Sequence, residues 1–120
     1  MVGIDIIEVS RVDTSQKFLE KIAHESEVEY IQKSPCEKLC HQRIAALFCV
    51  KEAVMKALGL GAKSGVVFKD IKVCHDESGK PLVELYGKAL EKFKSHFEGK
   101  RMEVSLSHTS NYATAIAIII

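Results

Sequence analysis

The sequence predicts an α+β domain, and three patterns carry that reading. An apolar helical face runs through a long segment that stops at Gly59, strict alternation marks a strand from Met102 to His108, and two apolar stretches flank the turn "DESGK" as in a hairpin. At 120 residues, 47% hydrophobic and 28% charged, the chain has the composition of one globular core rather than of a disordered segment. With 17 basic residues against 16 acidic ones, no extended nucleic-acid footprint is expected.

"VGIDII" reads as a short buried strand that ends in acidic side chains, and "TSQKFLEKIA" as a helix that buries Phe18, Leu19 and Ile22. "SEVE", Ser26 to Glu29, fits a capping box opening another helical turn. "SPCE" repeats that pattern, with Ser34 as N-cap, Pro35 at the first helical position and Glu37 reaching back. The long helix that starts there should run to Leu58, with Cys36, Cys40, Ile44, Leu47, Met55 and Leu58 on its apolar face and Gly59 as its stop. After the loop "GLGAKSG", the stretches "VVFKDIKVCH" and "PLVELY" form the hairpin arms, and "KALEKFKSHFEG" is a helix with Leu90, Phe93 and Phe97 inward.

"MEVSLSH" places Met102, Val104 and Leu106 on one face and Glu103, Ser105 and Ser107 on the other, a half-buried strand. The last strand, Tyr112 to Ile120, is apolar on both faces, with Ile116, Ile118 and Ile120 opposite Ala113, Ala115, Ala117 and Ile119. Both faces should be covered, and in so small a domain another subunit is a candidate for one cover. The run "YATAIAIII" is far shorter than the roughly 20 residues of a spanning helix. No basic leader with an apolar run opens the chain, so a cytoplasmic protein with no membrane contact is expected, its four cysteines reduced.

The stretch "FCVKEAVMKALGLG" carries the chemistry. Residues four apart on a helix share a row, so Phe48, Glu52 and Lys56 form one stripe. An exposed Glu-to-Lys pair is the plain account. The sharper one adds Asp5, a carboxylate within an apolar strand, where isolation is costly unless a cation or partner answers it. Magnesium takes oxygen ligands and commonly binds through one or two carboxylates plus substrate phosphates, which Asp5 and Glu52 would supply with Lys56 beside them. Against this, Asp5 and Glu8 read equally well as the plain end of a strand. Gly61 and Lys63 hint at a phosphate loop, while Gly59 reads as a C-cap. His108 stands where a strand meets a turn, as ligand contact or plain surface residue. Cys36, Cys40 and His41 lack a second ligand pair at zinc spacing, so structural cysteines are expected.

Together, "GIDIIEVSR", "FCVKEAVMKALGLG", "DESGKP" and "SLSHTSNYA" resemble the holo-acyl-carrier-protein synthases, the small 4′-phosphopantetheinyl transferases of bacterial fatty-acid synthesis, over nearly the whole chain. The resemblance implies a single domain over residues 1–120 with the phosphopantetheinyl transferase fold, mainly antiparallel sheet packed against a long helix, and a homotrimer with sites between subunits. It implies transfer of 4′-phosphopantetheine from coenzyme A to a serine of apo acyl carrier protein, with Mg2+ required. Asp5 and Glu52 would be the metal ligands and, with Lys56 on the diphosphate, the catalytic set. Gly61, Gly79, Lys80, Pro81 and His108 would hold the nucleotide, and the carrier protein would dock near Arg11, Lys17 and Lys21. One departure stands out, since Leu47 occupies a position where many relatives have arginine. Two rival readings use the same residues: a coenzyme-A-binding module without turnover, and a structural homo-oligomer in which Glu52 and Lys56 are only a surface pair.

Overall fold

The computed structural model describes residues 1–61 and 64–120. In chain order it contains β1 (Val2–Glu8), α1 (Gln16–Ile22), α2 (Glu25–Gln32), α3 (Glu37–Leu58), β2 (Ile71–His75), β3 (Pro81–Leu85), α4 (Gly87–His96), β4 (Met102–His108) and β5 (Tyr112–Ile119). The strands β1, β5 and β4 form an antiparallel sheet in that order, and β2 and β3 form a separate antiparallel hairpin. The α+β class and the mainly antiparallel sheet against a long helix are as the sequence led one to expect.

The sheet and α3 make the core because each presents a compatible face. Ala113, Ala115, Ala117 and Ile119 of β5 are buried against Ala46, Cys49, Val50, Ala53 and Ala57 of α3. Small side chains on both sides let helix and strand approach closely. The approach is tightest at Gly3, where a side-chain carbon would meet the backbone oxygen of Ala53 and lie 2.5 Å from the backbone nitrogen of Ala57. On the other face of the sheet Val2, Ile4 and Ile6 are exposed beside Ile116 and Ile118. The two apolar faces of the last strand are therefore answered unequally: α3 covers the alanine face, while Ile116 and Ile118 on the isoleucine face are only half-buried among the described residues.

Helix ends follow hydrogen bonding more than the residue pattern. Gly59 ends α3 in the left-handed conformation, φ 72, and the N–H of Leu60 returns to Met55 O, as expected for a glycine stop. The helix starts later than the sequence pattern indicated, at Glu37, because the Ser34 hydroxyl donates to Ile31 O at 2.6 Å and closes α2 instead of capping α3. Likewise α2 begins at Glu25, because Glu27 rather than Glu29 reaches back, accepting from the His24 N–H at 2.7 Å. The first hairpin arm is shorter than its apolar run, since a 3-10 turn at Phe68–Asp70 precedes β2. Among the described residues no helix is long and apolar enough to cross a membrane.

Candidate active site

Alternation along β1 turns Gly3, Asp5 and Ile7 toward α3 and leaves Val2, Ile4 and Ile6 outside. The missing side chain at Gly3 draws the strand onto the helix, and two residues later Asp5 meets the row that contains Glu52 and Lys56. The Lys56 ammonium donates to Asp5 Oδ1 at 3.1 Å and to Ile4 O at 3.0 Å. Asp5 is held, with 17% of its side chain exposed, while Lys56 is 54% exposed. Burial pushes the Glu52 carboxyl above its usual range, the neighbouring Asp5 charge pushes it further, and Lys56 opposes both. Lys56 is bonded to Asp5 alone, and Glu52 lies close enough to feel both charges, so the two carboxylates outnumber the one ammonium and the leftover negative charge suits a cation.

The donor set fits Mg2+, a hard cation that takes carboxylate oxygens and keeps the rest of its shell for water and phosphate. Among the described residues no group of three or more His, Cys, Asp or Glu side chains is placed to hold a metal ion, so within the described chain a cation here would draw on these two carboxylates. Cys36, expected on the apolar helix face, is instead exposed at the N-cap of α3, and Cys49 is buried with its thiol 3.4 Å from Ala113 O. Burial first, then the Asp5 charge, pushes that thiol up to about 12, so it is neutral and inert beside the acids. Phe48, the first residue of the stripe, packs between Phe18 and Phe68 at ring separations of 5.9 and 5.6 Å.

The remaining expected residues lie elsewhere. His108 Nδ1 shares a 2.7 Å hydrogen bond with Gln42 Oε1, and the register places His108 opposite Ala113 and that residue opposite Ile7. Two strand spacings, about 10 Å, separate β4 from β1. Gly79, at φ 88, lies in the turn built on Asp76, whose Oδ1 accepts the N–H groups of Ser78 and Lys80. Lys80 is tied by its ammonium to Glu103 at 3.3 Å, and Pro81 opens β3. One chain therefore brings Asp5, Glu52 and Lys56 together and leaves His108 and the Gly79–Pro81 turn across the sheet. Gly61 stands in open space, and Lys63 lies outside the described residues. Arg11, Lys17 and Lys21 are exposed.

Two findings go beyond the sequence reading. Leu47 is 7% exposed and belongs to the core, which removes it from any direct charge contact. Lys51 is fully buried, donating to Ile22 O at 2.5 Å, Glu27 Oε1 at 2.9 Å and Phe68 O at 3.2 Å. The signal for it was present, since Ile44, Leu47, Lys51, Val54 and Leu58 follow the three-four spacing of one buried stripe with a lysine in its middle.

Comparison with known proteins adds the following. The family model of the 4′-phosphopantetheinyl transferase superfamily matches residues 1–117. A holo-[acyl-carrier-protein] synthase of Clostridium tetani (strain Massachusetts / E88) is 41% identical over 122 residues, covering 98% of this chain and 93% of the relative. One from Thermoanaerobacter sp. (strain X514) is 45% identical over 124 residues, covering 99% and 86%. Among solved structures, the Helicobacter pylori holo-[acyl-carrier-protein] synthase in complex with coenzyme A superposes with a TM-score of 0.81 at 28% identity, covering 100% of both chains. The Bacillus anthracis holo-(acyl-carrier-protein) synthase in complex with CoA (3′,5′-ADP) gives 0.80 at 30% identity, covering 98% of this chain and 93% of that one.

Proposed function

This chain belongs to the 4′-phosphopantetheinyl transferase superfamily, and from that premise we propose that it transfers 4′-phosphopantetheine from coenzyme A to a serine of apo acyl carrier protein, releasing adenosine 3′,5′-bisphosphate. The observation that carries the reading is the meeting of Asp5, Glu52 and Lys56 between β1 and α3. The serine oxygen forms a bond to the phosphorus that bears pantetheine. The bond from that phosphorus to the bridging oxygen breaks, and the electron pair leaves with the adenosine bisphosphate.

Asp5 and Glu52 would hold Mg2+, which when bound supplies positive charge to the diphosphate. Lys56, half exposed and tethered to a strand that is itself fixed, faces the same charge and gains in strength as the leaving group develops. The serine proton needs an acceptor, and Glu52 takes it directly or through a water. Cys49 stays neutral and out of the reaction.

The protein works as a homotrimer in cytoplasmic fatty-acid synthesis. The apolar face of β1 and β5 supports assembly, because the residues proposed to hold the nucleotide, on β4 and in the hairpin turn, lie across the sheet from Asp5 and a neighbouring copy would bring a second set. Gly61, Gly79, Lys80, Pro81 and His108 hold the nucleotide part, and Arg11, Lys17 and Lys21 receive the acidic carrier.

The test is the mass of purified apo carrier protein after incubation with coenzyme A, Mg2+ and this protein. Addition of the phosphopantetheine mass is expected, with loss of it on chelation. Folded Asp5→Ala and Glu52→Ala should nearly abolish the addition, and extra Mg2+ should partly rescue Asp5→Ala but not Glu52→Ala. A parent rate in both folded variants overturns the site. Coenzyme A binding with no mass change would leave a binding module instead.

A further inference from the structure

The motif "KEA" puts a second lysine beside Glu52, and the structure keeps it away from the site. Lys51 points to the opposite side of the core, where its three N–H bonds meet three acceptors and none is left for a ligand. Its partner Glu27 is equally committed. Oε1 takes Lys51 and the His24 N–H, and Oε2 takes the Val73 N–H at 2.7 Å. Both side chains are almost wholly buried, 0% and 2% exposed.

Besides this pair, α2 has one further hydrogen bond to α3, from Arg43 Nη1 to Tyr30 O at 3.3 Å, and among the described residues α1 has none. Ile22 O is one of the last carbonyls of α1, Glu27 belongs to α2, Phe68 O to the turn reached after the glycine loop, and Val73 to β2. The helix α1 has seven residues, too few to be stable alone, so its direction is set by what holds it. Phe18, Leu19 and Ile22 pack it down without fixing its axis, because apolar contact is non-directional. The bond from Lys51 to Ile22 O is directional, and a cation at the C-terminus of a helix is favoured by the helix dipole as well. The neighbouring residue on α3 is Glu52.

We infer that Lys51 and Glu27 are positioning residues that set the direction of α1, and with it Lys17 and Lys21, relative to Glu52 and Lys56. The inference rests on the proposed transferase reading for its kinetic consequence: the pair orients the face that receives the carrier protein and leaves the coenzyme A site alone. Replacing the lysine should therefore separate the two substrates.

The test uses Lys51→Met, which keeps most of the volume and loses all three bonds, with Glu27→Gln as a milder second variant. Both are screened for folding by circular dichroism and assayed well below their melting temperatures. Expected are a KM for carrier protein raised about tenfold or more in Lys51→Met, a smaller rise in Glu27→Gln, and a KM for coenzyme A within about twofold of the parent. Amide exchange read by mass spectrometry should rise in residues 16–23 and stay unchanged in residues 48–58. If Lys51→Met fails to fold, Glu27→Gln alone carries the decision by the same readouts. A folded variant with a parent KM for carrier protein and parent exchange in α1 overturns the inference, whatever its melting temperature, since a merely structural pair would lower stability alone. Should the parent transfer nothing, the transferase reading fails by itself and the exchange of residues 16–23 still decides the positioning role.

Discussion

Gly3 offers the sharpest test of how the site is assembled. It lies on the inner face of β1, two residues before Asp5, and a Cβ there would sit 2.5 Å from the Ala57 backbone nitrogen and still closer to Ala53 O. Ordinary contact begins at 3.4 Å, so strand and helix must part by at least 0.9 Å, the difference of those values, and neither obstacle is a side chain that can turn aside. Gly3→Ala should cost about 1–3 kcal/mol as an overpacked core does. That corresponds to a fall of roughly 4–12 °C in melting temperature for a domain of this size. The strand carries Asp5 with it, away from Glu52 and Lys56. A displacement near 1 Å at reacting groups costs on the order of 100-fold in rate. The assay is carrier-protein mass against time at a temperature where circular dichroism shows the variant folded. A parent rate under those conditions, even with a lowered melting temperature, would refute the claim that the close approach at Gly3 sets the position of Asp5.

Other outcomes follow from named contacts. Leu47→Arg should lower stability by on the order of 3 kcal/mol, read in thermal melts, because it puts a charge at a core position. His75 is held below its usual value by burial and by the Arg43 charge, so an NMR titration should place it below 6.5, and Arg43→Ala should raise it. The sign for stability follows: a depressed histidine stabilises the fold above pH 6.5, and that contribution is lost as pH falls through the depressed value, a dependence weaker in Arg43→Ala. Ile118→Lys, on the open face of β5, should shift the light-scattering mass from trimer to monomer and abolish transfer; an active monomer would defeat the assembly claim.

What could be read from the sequence was local. The stop of α3 at Gly59 follows from one glycine after a lysine-bearing last turn, and the alternation of β4 from seven residues in a row. The row of Glu52 and Lys56 is a matter of spacing alone. The contact of Lys56 with Asp5 joins residues 51 apart in sequence; a carboxylate in an apolar strand suggested it as one of two readings, and the family resemblance favoured that one. Ser34 was misread because one hydroxyl can cap the helix after it or close the helix before it, and the choice depends on the position of Ile31 O. Lys51 escaped notice because lysine is taken as a surface residue, although its place in the buried stripe demanded a partner, which turned out to be Glu27 from another helix. The pairing of His108 with Gln42 had no local signal at all.

In the proposed reaction, the difference between Asp5 and Lys56 would let the same three residues act on a substrate rather than merely hold the fold. Asp5 is fixed by its strand and largely shielded, whereas Lys56 reaches it on a flexible stem with more than half its side chain in water. The exposure of Lys56 weakens the pair, but Asp5 is shielded and Lys56 also bonds Ile4 O, so Lys56 leaves only where another positive group takes its place. A divalent cation or a phosphate competes directly for one side of that pair. Glu52 behaves differently, because its carboxyl is raised by burial and by Asp5 and gains by either a cation or a proton. The proposed site would thus combine one shielded acid, one acid whose carboxyl is raised and one half-exposed ammonium. The buried lysine on the same helix has no such freedom, with all three of its N–H bonds spent on the frame that holds the others in place.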